Sequence, residues 1–202
     1  MSDTPLHQAE SDRAQQRCNQ VLLAASNCFR RYGFHGCSMA QLAKEAGMSV
    51  GHIYHYFQNK EAIIDTIVKR DLFECMSAID QLRQGPEVFQ EMLNGIRTPV
   101  ENSLDPQNAA LQFEILAEAA RNPKVAEMVQ QAHQHVRKKI TELIRCGSKR
   151  PLSEAEINCK YDLVGTLFDG LMVRAIRCPD IHIDIEQLLP IMRATFLFIL
   201  EY

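Results

Sequence analysis

Long uninterrupted apolar runs are missing from this sequence, so no membrane-spanning helix is expected. The polar, acidic start MSDTPLHQAESDR carries no apolar signal-peptide core. HExxH and a glycine-rich phosphate loop after a strand are both absent, and no period-2 run is long enough to build a strand scaffold for a catalytic motif. No nucleophile stands beside a base, so the chain is not expected to be an enzyme and no cofactor is called for. CxxC pairing is also lacking. Seven cysteines, Cys18, Cys28, Cys37, Cys75, Cys146, Cys159 and Cys178, are an odd number scattered along the chain. They fit a reducing cytoplasm rather than a disulfide framework and read as small core hydrophobes or bystanders.

An excess of basic charge is missing too. The net charge of −3 argues against a protein that coats nucleic acid by electrostatics alone. Local charge is different: Arg13, Arg17, Arg30, Arg31, Lys44 and Lys60 all fall in the N-terminal part. That pattern suits specific docking through few phosphate contacts. With 202 residues, 46% of them hydrophobic, the chain can bury a substantial core in one or two domains.

What is present is helical. The organising stretch is Ser38 to Lys60, SMAQLAKEAGMSVGHIYHYFQNK. Ser38 is an N-cap candidate, and Met39, Leu42, Ala43 and Ala46 recur at helical spacing. Gly47 sits where the left-handed C-cap belongs. Ser49 then caps a second short helix, Val50 to Phe57, with Ile53 and Phe57 turned inward. Two helices about a four-residue, glycine-bearing turn form a helix-turn-helix, whose second helix can enter the DNA major groove. Outward on that helix stand His52, Tyr54, His55 and Tyr56. Tyrosine hydroxyls suit phosphate oxygens, and histidine can donate to a phosphate or a base edge. Lys60 opens the next helix, where its ammonium and the free backbone N–H groups could hold a phosphate. The expected DNA-contacting set is Ser38, Met39, Ser49, Gly51, His52, Tyr54, His55, Tyr56 and Lys60. The bland alternative for each ring is packing against a neighbouring helix.

The run SMAQLAKEAGMSVGHIYHYFQNKEAIIDTIV resembles the N-terminal DNA-binding domain of TetR-family transcriptional regulators. The lead-in FRRYGFHGCSM, Phe29 to Met39, matches the family's pattern as well. Beyond that stretch the chain resembles the family only in length and helical character. The resemblance implies an all-α fold with an N-terminal three-helix DNA-binding domain and a C-terminal helical domain for ligand binding and dimerisation. It also implies a repressor bound as a homodimer to a palindromic double-stranded DNA operator and released by a small-molecule effector. Efflux control is expected by analogy alone. An activator, a dual regulator and a helical protein-interaction adaptor are the alternatives.

In chain order, residues 1–10 are expected to be a disordered arm, 11–60 the helix-turn-helix domain and 61–202 the effector-binding and dimerisation domain. Helix one should run from Ser11 to Tyr32, with Val21, Leu22, Ala25 and Phe29 inward, and lend Arg13 or Arg17 to phosphates. A longer helix should reach Arg83 with Ile63, Ile64, Ile67, Val68, Phe73 and Ile79 along its apolar side, before Gly85-Pro86 breaks it. Further helices are expected over Pro86 to Val100, Ala109 to Arg121, Pro123 to Arg145, Ser153 to Arg177 and Asp184 to Tyr202. Pro190 should kink or delay the last.

The last two helices are apolar on most sides, so each must be buried on more than one face. Internal core is one solution. The preferred one is a four-helix dimer interface through Tyr161, Val164, Phe168, Leu171, Ala175, Met192, Phe196 and Ile199. Glu114 and Glu118 are i, i+4 carboxylates that repel unless a cation lies near. They read either as a solvated acidic face paired with Arg121 or as part of an effector pocket. That pocket would comprise Phe113, Glu114, Glu118, Phe168, Asp169 and Met172 and attract a cationic apolar ligand. No metal site is expected: His133 and His135 point about 200° apart on a helix, and Cys178, His182 and Asp184 lack a fourth ligand.

Overall fold

The computed structural model describes residues 5–82, 88–180 and 183–202. Among them every regular element is a helix. The elements are α1 (Pro5–Gly36), α2 (Met39–Ala46), α3 (Val50–Tyr56), α4 (Lys60–Leu82), α5 (Val88–Asn94), α6 (Arg97–Leu104), α7 (Pro106–Ala119), α8 (Pro123–Gly147), α9 (Glu154–Arg177) and α10 (Ile185–Glu201). The all-α expectation holds. Residues 1–4 of the expected arm, the Gly85-Pro86 break and His182 lie outside the described residues, whereas Pro5 to Glu10 already belong to α1.

The chain divides into two compact units. One holds the residues up to Lys69 together with Phe113–Val129, and the other holds Arg70–Gln112 and Gln130–Tyr202. The boundary expected after residue 60 therefore falls inside the first unit, because Ile63, Ile64 and Ile67 of α4 are buried there.

In the first unit Val21, Leu22, Ala25 and Phe29 of α1 are buried as the periodicity requires. Gly33, at φ 72°, breaks the α1 backbone after Tyr32. Its left-handed conformation is one that side chains with a Cβ rarely adopt. The second unit is centred on Leu93 of α5, Ile96 and Val100 beside and within α6, and Leu189, Met192, Phe196 and Ile199 of α10. Val164, Phe168 and Leu171 of α9 pack on this cluster, and the Phe168 and Phe196 rings stack at 5.5 Å. A second cluster joins Ile144, Ile157, Tyr161 and Leu200.

The residues of the expected dimer face also have partners within one chain. Tyr161, Val164, Phe168, Leu171, Met192, Phe196 and Ile199 pack within one chain, and Ala175 is buried as well. Most of that stripe packs with Leu93, Ile96 and Val100 of α5 and α6, while Tyr161 packs with Ile144 and Leu200, pairings that sequence periodicity could not assign. The apolar residues left outside are Leu163, Val173 and Ile176 on α9 and Ile191, Leu197 and Phe198 on α10.

Three other expectations change. The single helix over Pro86 to Val100 is two, α5 and α6, separated at Gly95-Ile96. Pro190 sits inside a continuous α10. Phe73, assigned to the apolar side of α4, is 72% exposed.

Polar side chains fasten the ends of this unit's helices. Lys160, itself buried, donates from Nζ to the Ile199 and Leu200 carbonyls at the end of α10. Arg193 Nε donates to Leu93 O at 3.0 Å, closing α5. Arg97 reaches both Glu186 oxygens at 2.7 and 2.9 Å. At the end of α8, a Cβ on Gly147 would clash with Cε1 of the Phe89 ring.

Candidate nucleic-acid interface

The helix-turn-helix is built from caps. Ser38 Oγ accepts the Gln41 N–H at 3.2 Å, and Gln41 Oε1 accepts the Ser38 N–H at 2.7 Å, a complete capping box that starts α2. Gly47 ends α2 in the left-handed conformation, φ 62° and ψ 33°. The Met48 N–H then closes on Ala43 O at 2.9 Å. Two residues later Ser49 Oγ accepts the His52 N–H at 3.1 Å and starts α3. Asn59 Oδ1 takes the Ala62 N–H at 2.8 Å and opens α4. Gln20 Nε2 donates to Ala46 O at 2.7 Å, clamping α1 to the end of α2.

With Leu42, Ala43, Ala46, Ile53 and Phe57 buried, the opposite side of α3 faces out. Gly51, His52, Tyr54 and His55 are exposed, Tyr54 by 50%, and Tyr56 is half-buried. The Tyr56 ring lies 5.4 Å from His52 and 5.1 Å, edge-on, from His55. The Tyr56 ring thus contacts both histidine rings. A Cβ on Gly51 would meet open space, so backbone there can come close to a partner. Ser38 and Ser49 are exposed, with each oxygen accepting its helix's cap bond and each hydroxyl hydrogen left for an acceptor. Met39 is half-buried beside them. On α1, Arg13, Gln16, Arg17 and Gln20 line one shallow polar groove.

Lys60 has a different task from the one its position suggested. Its Nζ donates to the Phe34 carbonyl, and to Cys37 O at 2.9 Å, and sits 4.4 Å from the centre of the Phe34 ring. Burial lowers its pKa. The ammonium holds the turn between α1 and α2 from within; with two carbonyls and a ring already on it, it is not placed as a free phosphate ligand.

The same turn carries two further departures. Cys28 and Cys37 form a disulfide with Cα atoms 5.7 Å apart, so the bystander reading fails for these two. Nothing in a nine-residue separation announces that pairing. Glu118 of α7 is 1% exposed rather than part of a solvated face. Its Oε1 accepts from Asn122 Nδ2 at 3.0 Å, and Arg121 Nη2 lies 3.9 Å from Oε2. His35 Nε2 comes within 2.9 Å of Oε2 but is not aligned to donate, and that oxygen keeps an unfilled acceptor site. Glu114 Oε2 lies 3.3 Å from the position a Gly33 Cβ would take.

Of the expected effector set, Phe113, Glu114 and Glu118 belong to the first unit, and Phe168, Asp169 and Met172 to the second. Asp169 is exposed, Met172 is half-buried, and Phe168 is committed to the Phe196 stack. Groups the sequence did not single out lie elsewhere in the second unit. Asp71, raised in pKa chiefly by burial, accepts from Gln112 Nε2 at 3.0 Å. Arg137 lies 4.8 Å over the Tyr161 ring, and its guanidinium pairs with Asp162 at 2.9 Å. No cluster of three or more metal-ligating side chains occurs among the described residues.

Two family models match this chain. That for bacterial regulatory proteins of the tetR family matches residues 21–67, and that for the C-terminal part of BetI-type transcriptional repressors matches residues 99–196. The HTH-type transcriptional regulator UidR of Escherichia coli (strain K12) is 29% identical over 145 residues, covering 72% of this chain and 73% of that protein. Salmonella enterica GusR superposes with a TM-score of 0.70 at 23% identity, over 91% of this chain and 96% of that one. The regulator FadR of Bacillus subtilis, solved with stearoyl-CoA, gives 0.72 at 16% identity, over 88% and 96%. Those two likenesses speak for the fold.

Proposed function

Because the chain belongs to the TetR family of transcriptional regulators, whose members are DNA-binding factors and not enzymes, we propose that it is a repressor acting on a palindromic operator as a homodimer. The observation that carries the reading is the outer face of α3, where exposed His52, Tyr54 and His55 stand with half-buried Tyr56 on a helix that buries Ile53. The match to BetI-type repressors over 99–196 supports repression. In this reading His52 and His55 meet base edges, Tyr54 and Tyr56 meet phosphates, and Ser38, Ser49 and Gly51 let the backbone approach. The second copy docks on the outer faces of α9 and α10, where Leu163, Val173, Ile191 and Phe198 are exposed at helical spacing. A two-fold pair would set two α3 helices about one DNA turn, roughly 34 Å, apart. The cytoplasm is the compartment this function requires.

A small apolar molecule is the proposed effector. The cationic preference loses its main support, since Glu118 is buried against His35, Arg121 and Asn122. Release requires the effector to favour a conformation whose DNA heads are wrongly spaced; equal affinity for both would shift nothing.

The test is fluorescence anisotropy against DNA flanking the protein's own gene at several salt concentrations, with genome-fragment selection if that DNA is not bound. A competitor-resistant complex of one dimer per palindrome is expected. His52→Ala should relax base preference by about 1–3 kcal/mol, while Tyr54→Phe weakens binding uniformly across sequences. Equal affinity for selected and random DNA would refute the regulator reading in favour of a protein-binding adaptor.

A further inference from the structure

We propose that Cys28 and Cys37 are a reversible redox site inside the helix-turn-helix unit. Its disulfide state fixes the turn that aims α2 and α3, and its dithiol state loosens that turn. The effect on DNA and the compartment argument rest on the regulator reading above; the pairing of the two cysteines does not.

Position is the first argument. Cys28 lies on the long part of α1, and Cys37 directly precedes Ser38, whose capping box starts α2. The bond between them closes a loop containing Gly33 and the two carbonyls, Phe34 O and Cys37 O, that Lys60 holds. One covalent link and one ammonium therefore constrain the same turn. Cys18, Cys75, Cys146, Cys159 and Cys178 are free thiols, so this pair alone is placed to cross-link.

Compartment is the second. A regulator must work beside DNA, where thiols are kept reduced and disulfides are mostly transient, catalytic or sensing. A cross-link in the DNA-reading unit is then a state to be entered and left. Both sulfurs are buried, but Gly36 and Ser38, on either side of Cys37, are exposed. A small opening of the turn brings Cys37 to solvent first.

The oxidant class is a hydroperoxide. The Cys37 thiolate attacks the outer peroxide oxygen, the O–O bond breaks, and an alcohol (water, for hydrogen peroxide) departs, leaving a sulfenic acid. The Cys28 thiol then attacks the Cys37 sulfur. The S–S bond forms, the S–O bond breaks, and the hydroxyl leaves as water with the Cys28 proton. Two thiols lose two electrons and the peroxide gains them. A small dithiol reverses the step by exchange, ending as its own disulfide.

The experiment takes the full chain, reduced with dithiothreitol and desalted, and treats it with hydrogen peroxide. Thiols are then blocked and the protein digested with trypsin. Cleavage after Arg30 and Arg31 puts Cys28 and Cys37 in separate peptides, Cys18–Arg30 and Tyr32–Lys44, joined only if the bond has formed. The joined peptide should dominate in the parent, persist in Cys18→Ser and vanish in Cys28→Ser. In anisotropy against genome fragments selected by the protein, the oxidised parent should bind about tenfold more tightly than the reduced one, as expected for a pre-organised reader. Cys28→Ser should stay at the reduced level under both conditions. Failure of the joined peptide to form, prior cross-linking of other cysteines, or the same affinity change in Cys28→Ser would each overturn the proposal. Absence of DNA binding in both states would sink the regulator reading and the DNA coupling with it, while the peptide result still decides the redox site. The parent's peptide result needs no variant to fold.

Discussion

Replacing Lys60 by methionine separates two tasks that a lysine at the start of α4 could perform. In the structure its ammonium donates to Phe34 O and Cys37 O, which belong to two buried residues. A hydrogen bond to a charged group contributes about 1.5–3 kcal/mol, so two gross to roughly 3–6 kcal/mol. Lys60 is only half-buried, so water recovers part of each bond in the variant, and the desolvation that lowers its pKa already works against the charged form. The methionine stem retains the contact with the Phe34 ring. A net loss of about 2 kcal/mol follows, which is roughly a 30-fold fall in the folded-to-unfolded ratio. Urea unfolding should show a lowered midpoint with an unchanged slope. Operator affinity, read on the fraction still folded, should keep its salt dependence. A phosphate ligand behaves otherwise: its removal flattens the log K against log salt plot by about 0.9 and leaves stability alone. An unchanged urea midpoint with a flattened salt plot would refute the internal assignment.

Four further outcomes are expected. Gly147→Ala should cost about 1–3 kcal/mol because its Cβ clashes with the Phe89 ring, and Phe89→Leu in the same chain should recover most of it; additive losses in thermal unfolding would contradict that contact. Lys160→Met should cost about 1–3 kcal/mol by leaving the Ile199 and Leu200 carbonyls unmet, and an unchanged melting temperature would mean that water reaches them. Glu156 is lowered to about 2 by Arg150 and then by the Ser153 cap. A depressed carboxylate contributes stability above its unfolded pKa and loses it as pH falls through the folded one. The parent's advantage over Glu156→Gln should therefore shrink as pH falls from the ordinary carboxylate range toward about 2, and an advantage that grows would reverse the assignment. Asp71 has the opposite sign, raised mainly by burial, so Asp71→Asn should be neutral or stabilising at neutral pH, checked by urea midpoint.

Features decided within one or two helical turns were legible in the sequence. Ser38, Gly47 and Ser49 all cap the helices they were expected to cap, because a cap depends on close neighbours in sequence; Asn59 and the Ser153 box with Glu156 cap theirs through the same short-range contacts. The break at Gly95 was not legible. Leu93, Ile96 and Val100 serve one core cluster, so helical periodicity runs across a turn that interrupts the helix. On α9 and α10 the pattern said that both sides were apolar, and only the presence of α5 and α6 decides which side is inside. Glu118 and His35 meet across a long stretch of chain, and local spacing carries no sign of it. Lys60 was read as a ligand because residue type and position fit both tasks; only the carbonyls of a distant turn distinguish them.

The aim of α3 is set by groups that never touch its outer surface. Lys60 grips two loop carbonyls, Gln20 grips Ala46 O, and the caps close on backbone. The outward positions Gly51, His52, Tyr54 and His55 therefore owe little to folding, and most substitutions there should change stability by less than about 0.5 kcal/mol. Preference for one operator over another can then drift through single replacements while the scaffold beneath stays intact. Selection on sequence preference and selection on stability act on separate residues of the same few helices.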